Sequence, residues 1–453
     1  MGKRYDELYK NAQAYGQEHL LKFYPSLSEA SKEKLLDQIE KLDFDNLREL
    51  FHQTKQQSVS IGGISPIEAF DLEDYTEEER KHLAEIGWDR LRQGKVAALV
   101  VAGGQGSRLG HEGPKGTYNI GLPSGKSLFQ LQAERLLNLS RRAGRSIPWY
   151  IMTSPENHQD TMRYFQGSEY FGYNPEDIIF FCQNVLPALD SEGRVLLSDK
   201  DVIGFTPSGN GYVFASMKRS GVLDDLKRRG VEWLFYYNVD NALIRVVDPL
   251  FVGAAAYHNH PIATKVAEKA YPEEKVGFLC LKDGRPTVIE YTDMPKELMY
   301  ATDSSGHLTY GLANLSIHLL RIDFIERYAN TNIPYHAAHK AVKYIDDQGH
   351  PIEPASANAY KFEKFIFDFF SLAEEMTVLK IRREEEFAPV KNMEGKDSPA
   401  TARKLVQELY DRWLLEAGAA PSDLVNRDIE ISPLVSYAGE GLTSEVLKTL
   451  LEA

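Results

Sequence analysis

The sequence predicts an α/β protein built on a doubly wound mixed sheet, with a helical segment before it and a small lobe after it. Three observations carry that expectation. Short apolar runs recur from about residue 95: VAALVVA (96–102), WYIMT (149–153), DIIFF (177–181) and WLFYYNV (233–239), which is how strands buried on both faces of a parallel sheet read. Between them lie amphipathic stretches such as Leu128 to Arg142 and Val222 to Arg229, as right-handed β-α-β crossovers require. The first run passes directly into the glycine-rich turn Gly103-Gly104-Gln105-Gly106, the kind of strand-to-helix junction that such sheets use to approach ligands.

The elements follow in order. Residues 1 to about 52 carry apolar positions at helical spacing, among them Leu20, Leu21, Leu35, Leu36, Ile39, Leu47 and Leu50, and predict an all-helical lead-in. Ser26 and Glu29 have capping-box spacing ahead of the second helix. The stretch Gly62-Gly63-Ile64-Ser65-Pro66 interrupts the pattern before Thr76 to Arg92 resumes it. The expected division is 1–94 helical, 95–380 the α/β domain, and 381–453 a C-terminal lobe contributing a lysine loop. In that lobe Thr401 to Ala417 reads as a helix, 420–428 as turns, and DIEISPLVSYAGEG (428–441) as short β segments.

A chain of 453 residues with 43% hydrophobic and 26% charged residues has material for two or three domains and excludes collagen-like and low-complexity classes. Sixty-six acidic residues against 52 basic ones leave a formal charge of −14, which repels a polyanionic backbone and argues against nucleic acid as a partner. Any phosphate site must therefore show as a short basic island. Cys182 and Cys280 match no metal-ligand spacing and read as buried free thiols in a reducing compartment. The first residues lack an apolar signal-peptide core, and no run approaches about 18 apolar residues, so the expectation is a soluble, cytoplasmic protein without membrane contact.

The stretch 96–136 is the most informative. Glycines without Cβ atoms let backbone amides approach phosphate oxygens, and Arg108 and Lys115 supply the basic island; the plain alternative is a tight turn with solvated charges. A dinucleotide-binding GxGxxG from Gly104 fails at Leu109, where Gly or Ala is needed. A Walker A loop ending at Gly125-Lys126-Ser127 fails at Ile120, so that segment reads as a turn before a helix. Asp240 follows the run 233–239 at a strand's C-terminal end, where a carboxylate suits a divalent cation shared with phosphate oxygens or else caps the segment from Asn241. His258 with His260, and His336 with His339, lack the carboxylate pattern of a zinc site. Glu384 to Glu386 reads as a solvated charge run leading to Lys391.

These motifs together resemble the eukaryotic-type UDP-N-acetylhexosamine pyrophosphorylases, within the wider UDP-sugar pyrophosphorylase group. The resemblance rests on AGGQGSRLG (102–110), GPKGTYNIGLPSGKSLFQLQAER (113–135), GNG (209–211), VDN (239–241), KVAEK (265–269), VIEY (288–291), KFEKFIFD (361–368), EEEFAPVKN (384–392) and SPLVSYAGEG (432–441), in family order. It implies a nucleotidyltransferase core, Rossmann-like and GT-A-like, that joins UTP and a sugar 1-phosphate into a UDP-sugar and pyrophosphate. By motif position Arg108 would hold the β- and γ-phosphates, Lys115 the α-phosphate, Lys391 the sugar phosphate and Asp240 a Mg²⁺ ion. Gly103, Gly104, Gln183 and Gly209 would meet the uracil, and Asn210, Glu290 and Asn314 the sugar. Asn210 points to N-acetylglucosamine 1-phosphate. The chain departs from the family at Ser208, at Tyr212 and at LANLSIH around Asn314; Tyr212 would narrow the sugar pocket. Rival readings are a glucose- or galactose-1-phosphate uridylyltransferase and a non-catalytic nucleotide-binding relative.

Overall fold

The computed structural model describes residues 2–54 and 63–452; Gly62, the first residue of the predicted break, lies outside them. The chain divides into two units. The larger takes Ile61–Cys182, Val213–Thr331 and Phe369–Ala453, the smaller Met1–Ser60, Gln183–Tyr212 and Asn332–Asp368. These units cut across the three consecutive segments expected from the sequence. A helical pattern shows which face of an element is apolar and leaves its burial partner unspecified.

In the larger unit the apolar runs form strands within a residue of their expected bounds. Eight strands make one path, in the order Phe70–Asp71, Thr377–Lys380, Ile262–Glu268, Leu312–Arg321, Trp233–Asn238, Val96–Val101, Trp149–Thr153 and Ile178–Cys182. Neighbours are parallel except at Leu312–Arg321, which runs antiparallel to the strands on both sides. The hairpin Phe278–Lys282 and Arg285–Ile289 attaches beside it at Phe278 and Ala313. Val96 to Val100, Trp149 to Met152 and Trp233 to Tyr237 are buried, which explains their unbroken apolar character.

The helices are set by local signals that the sequence displays. Thr76 and Glu79 form a reciprocal capping box at the start of Glu77–Arg92. Ser127 caps Leu128–Ala143 by accepting from Gln130 N–H, so Gly125-Lys126-Ser127 is a helix entry, and Lys126 is paired with Glu134 at 2.8 Å. Two helices cross at backbone contact: a Cβ on Gly87 would lie 1.7 Å from Pro249 O, and one on Gly253 of Pro249–His258 1.7 Å from Leu83 O.

Three local expectations are corrected. Ser28, not Ser26, caps Glu29–Glu40, accepting from Ser31 N–H, while Ser26 Oγ donates to Phe23 O. Residues 428–441 contain no strand. Ile429 and Ile431 alternate because both bury against the Pro399–Glu416 helix, and the backbone is held by side chains instead: Asn138 Nδ2 donates to Pro433 O. Cys280 is buried, and burial pushes its thiol up to about 12; Cys182 is only partly buried, and both thiols are free.

The smaller unit packs Lys3–Ala14, Glu29–Glu40 and Phe44–Thr54 against a three-stranded antiparallel sheet of His336–Lys340, Ala359–Glu363 and Leu189–Asp190. Leu20, Leu35, Leu47, Leu189, Val195 and Phe362 share its core. Gln17 ties helix to loop, its Nε2 donating to Gly193 O and its Oε1 accepting Val195 N–H.

Two measurements check this packing. Gly253→Ala should destabilise the fold by about 1–3 kcal/mol through overpacking against the Glu77–Arg92 helix, read as a lowered Tm. His318 lies fully buried on the Leu312–Arg321 strand, and burial lowers its pKa to about 3. The folded state therefore holds it neutral, so its contribution is whole above the unfolded value of about 6.5 and is lost as pH falls toward 3. Thermal melts should show stability falling between pH 7 and 5 more steeply than in His318→Asn.

Candidate active site

Val96–Val101 and Trp233–Asn238 are adjacent and parallel, with Val101 level with Asn238, so both chains leave the sheet at the same edge. The chain steps from Val96–Val101 through Trp149–Thr153 to Ile178–Cys182 on one side, whereas Trp233–Asn238 lies on the other. This reversal is a topological switch point, where open α/β sheets leave a crevice beyond their C-terminal ends.

One wall of the crevice is the loop from Gly103. It folds back on itself through Gly106 N–H to Gly113 O at 2.9 Å and Lys115 N–H to Gly104 O at 3.0 Å. Among the described residues the backbone N–H groups of Gly103, Gly104 and Gln105 donate to no protein acceptor. A Cβ on Gly104 would meet nothing within 4 Å, so this glycine faces open space. These amides remain available to a ligand that reaches the loop. Arg108 is exposed and, among the described residues, forms no hydrogen bond or ion pair.

The other wall carries Asp240. Lys115 Nζ donates to Asp240 Oδ2 at 3.3 Å, with side chains 10% and 20% exposed; the two loops therefore meet through opposite charges. The capping role that the sequence left open for Asp240 falls to its neighbour. Asn241 Oδ1 accepts Leu243 and Ala388 N–H, and its Nδ2 donates to Glu386 O. Val390 N–H donates to Asp240 O at 2.9 Å. These bonds lay the 386–391 segment along Asp240 and deliver Lys391 to a cleft of ≈ 60 Å³ that Asp240, Asn314 and Lys391 line together. Lys391 Nζ is 3.9 Å from Asp397 Oδ2.

Asn314 sits where Leu312–Arg321 bulges: Val266 pairs with Asn314, but the adjacent Lys265 pairs with Ile317. Ser316 takes a positive φ of 56° there, its N–H donating to Asn314 Oδ1. Bulges of this kind re-aim side chains beside active sites. Glu290 follows Arg285–Ile289; a Cβ on Gly277 would lie 3.2 Å from its Oε1, and Gly277 O accepts Asn314 N–H at 2.8 Å. The larger unit thus assembles Gly103, Gly104, Arg108, Lys115, Asp240, Glu290, Asn314 and Lys391 around one edge of the sheet.

Gln183, Gly209 and Asn210 belong to the smaller unit. Gln183 is buried. Gly209 has φ +80°, and a Cβ there would lie 2.3 Å from Lys364 O. Asn210 Oδ1 accepts Ile366 N–H at 2.9 Å, so half of its carboxamide is committed to the protein. Tyr212 is committed too: its hydroxyl bonds that of Tyr335, and Lys364 Nζ lies 4.9 Å from its ring. Burial lowers Lys364 to about 8, and its Nζ donates to Asn332 Oδ1 at 2.6 Å.

Sequence reasoning missed the support beneath the site. Lys265 is fully buried between Asp248 Oδ2 and Glu386 Oε2, each at 2.6 Å, and Arg245 pairs with Glu385 at 2.8 Å. Glu386, expected in a solvated run, is 2% exposed. Burial alone would raise the Asp248 carboxyl, but Lys265 and Arg245 outweigh it and hold it below the usual carboxylate range. Gln132 Nε2 and Arg135 Nη2 donate to Val239 O and Ala242 O, on either side of Asp240. KVAEK displays Lys265 and VDN displays Val239, but spacing does not reveal partners such as Glu386 and Gln132, more than a hundred positions away.

Among the described residues no group of three His, Cys, Asp or Glu is disposed to hold a metal unaided. Mg²⁺ in a phosphate site would need only one or two carboxylates, with substrate oxygens and water in the remaining positions. Asp240 supplies such a carboxylate.

Comparison with known proteins gives three likenesses and a family match. The family model described as UTP–glucose-1-phosphate uridylyltransferase matches residues 42–438. The chain is 38% identical over 468 residues to the UDP-N-acetylhexosamine pyrophosphorylase-like protein 1 of Homo sapiens, covering 95% of this chain and 92% of that one. It is 37% identical over 453 residues to the UDP-N-acetylglucosamine pyrophosphorylase of Saccharomyces cerevisiae, covering 94% of each. The crystal structure of the uridine diphosphate N-acetylglucosamine pyrophosphorylase from Trypanosoma brucei in complex with an inhibitor superposes with a TM-score of 0.83 at 29% identity, covering 100% of this chain and 96% of that one.

The buried cluster yields a measurable consequence. Lys265→Met leaves Asp248 and Glu386 without their shared cation and should cost about 3–5 kcal/mol, with the Tm falling accordingly. In the wild type the depressed Asp248 carboxyl contributes above the unfolded value of about 4 and fails only as pH falls through its folded value. The melting difference between wild type and variant should therefore persist at pH 7 and narrow in acid.

Proposed function

The chain belongs to the UTP–glucose-1-phosphate uridylyltransferase family, and from that premise we propose that it makes UDP-N-acetylglucosamine and pyrophosphate from UTP and N-acetylglucosamine 1-phosphate. The observation that carries the reading is the meeting of the unpaired Gly103–Gln105 amides with the Lys115–Asp240 pair at one crevice edge. In the reaction an oxygen of the sugar phosphate attacks the α-phosphorus of UTP, the bond to the β-phosphate oxygen breaks, and pyrophosphate leaves. Charge redistributes among groups already anionic, so positioning and cations matter more than a covalent nucleophile.

Each side chain then has a defined task. The Gly103 and Gly104 backbone lies against the base and phosphates. Arg108, free of protein partners, is available to the β- and γ-phosphates. Lys115 is held near the α-phosphate by Asp240, so the cation needs little reorganisation when charge develops. Lys391 closes the cleft on the sugar-phosphate side, with Asn314 and Glu290 facing the sugar. Asp240 would hold Mg²⁺ together with substrate oxygens, and the ion would supply charge neutralisation for the departing pyrophosphate. Gln183, Gly209 and Asn210, in the smaller unit, keep the roles toward uracil and the N-acetyl sugar that the resemblance gives them. The reading includes a reducing, cytoplasmic setting, supported by the unpaired cysteines; no helix among the described residues is long and apolar enough to cross a membrane.

A coupled pyrophosphate-release assay across N-acetylglucosamine, glucose and galactose 1-phosphates tests the reaction and ranks the sugars. The highest kcat/KM is expected for the N-acetyl sugar; a higher value for glucose would move the assignment to that rival. Lys115→Met should lower kcat by about 10²- to 10³-fold. Chelation of divalent metal should abolish turnover, and Asp240→Asn should blunt its recovery on adding Mg²⁺. UTP binding without product from any sugar would favour the non-catalytic relative.

A further inference from the structure

The ladder between Val96–Val101 and Trp149–Thr153 is closed at its end by a side chain. Val101 pairs with Met152, and the last backbone rung is Ala102 N–H to Met152 O at 2.8 Å. In the alternation of a parallel pair, the next rung would join Ser154 N–H to Ala102 O. The carboxamide of Asn157 takes that place. Its Oδ1 accepts Ser154 N–H at 2.9 Å and Ser154 Oγ at 3.1 Å; its Nδ2 donates to Ala102 O at 2.9 Å and Gly104 O at 3.2 Å. Asn157 is fully buried. A carboxamide offers the same donor and acceptor as a peptide group, so the strands part here without leaving a rung unpaired.

The consequence falls on the glycine loop. In a trans peptide the C=O of one residue and the N–H of the next point in opposite directions. With Ala102 O and Gly104 O both turned to Asn157, the Gly103 and Gln105 N–H groups are turned away from it. That direction leads from Trp149–Thr153 toward the crevice beside Trp233–Asn238, on the opposite flank of Val96–Val101. Without the inserted carboxamide, Ala102 O loses its bond and Gly104 O keeps only the one from Lys115 N–H; an Ala102 peptide that flipped would present a carbonyl oxygen to an anion.

We propose that Asn157 is a positioning residue for the nucleotide: by standing in for a ladder rung it aims the loop amides at the UTP phosphates. This rests on the uridylyltransferase reading above. Asn157→Asp removes both donors and sets a carboxylate oxygen against two carbonyls. It should raise KM for UTP by about tenfold or more, while KM for the sugar 1-phosphate at saturating UTP stays within about twofold. UTP affinity by isothermal titration should weaken in step. A role confined to sheet stability would lower Tm and the folded yield yet leave KM for UTP unchanged in the folded enzyme.

Asn157→Ala and Asn157→Ser, which cannot bridge both carbonyls, should shift KM for UTP in the same direction. A folded variant with wild-type UTP affinity would overturn the proposal, as would equal KM rises for both substrates. Failure of all three variants to fold would also overturn it, by making Asn157 a residue of general stability. Absence of UDP-sugar synthesis by the wild type would sink the reaction assignment alone, since titration of UTP still reads the amides.

Discussion

Two parallel neighbours that stop level with each other, on either side of the point where the chain order reverses, decide where chemistry can occur in the larger unit. Backbone donors and acceptors inside the sheet are consumed by the ladders. Beyond Val101 and Asn238 they are released, and the loops that follow must satisfy them or offer them. The Asp240 loop satisfies its groups through Asn241, Gln132, Arg135 and Val390. The loop from Gly103 leaves three consecutive amides unpaired. A rigid wall thus faces one with vacant donors, an arrangement that suits an anion larger than either loop alone would hold.

Electrostatics reconcile that anion with a chain of formal charge −14. Carboxylates near the site are largely compensated before they can act at a distance: Asp248 and Glu386 share Lys265, and Glu385 has Arg245. A buried ion cluster is weak as a source of stability, because desolvation consumes much of its attraction. Its geometric effect is clearer. Glu386 is bonded through its side chain to Lys265 and through its carbonyl to Asn241, so the cluster fixes the root of the segment that carries Lys391.

Much of this was legible in the sequence, and the limits have a physical pattern. Strand bounds held within a residue because burial on both faces leaves an apolar run with sharp ends. Lys115 and Asp240, separated by 125 positions, meet because both follow strand ends that the motif order places together. Readings failed where one pattern serves two structures. The alternation at Ile429 and Ile431 buries side chains against a helix without forming a strand. Glu386 belongs to a run of three glutamates, yet it is the one turned inward. Asn157 gave no signal at all, since a polar residue after Ser154-Pro155-Glu156 reads as an ordinary turn until its partners at Ala102 and Gly104 are known.

The Lys115–Asp240 contact has a further implication for how the site rests between turnovers. An ammonium that is 10% exposed is poorly hydrated, and leaving it unpaired would be costly. Asp240 relieves that cost at 3.3 Å, longer than an optimal charge-assisted bond of about 2.7–2.9 Å. The pair is therefore close enough to orient Lys115 and loose enough to exchange. On the uridylyltransferase reading, a phosphate oxygen would take the ammonium and leave Asp240 to hold a cation bound with the same substrate. Charge within the crevice would then be compensated both before and after binding, as a polyanion site in an acidic protein requires.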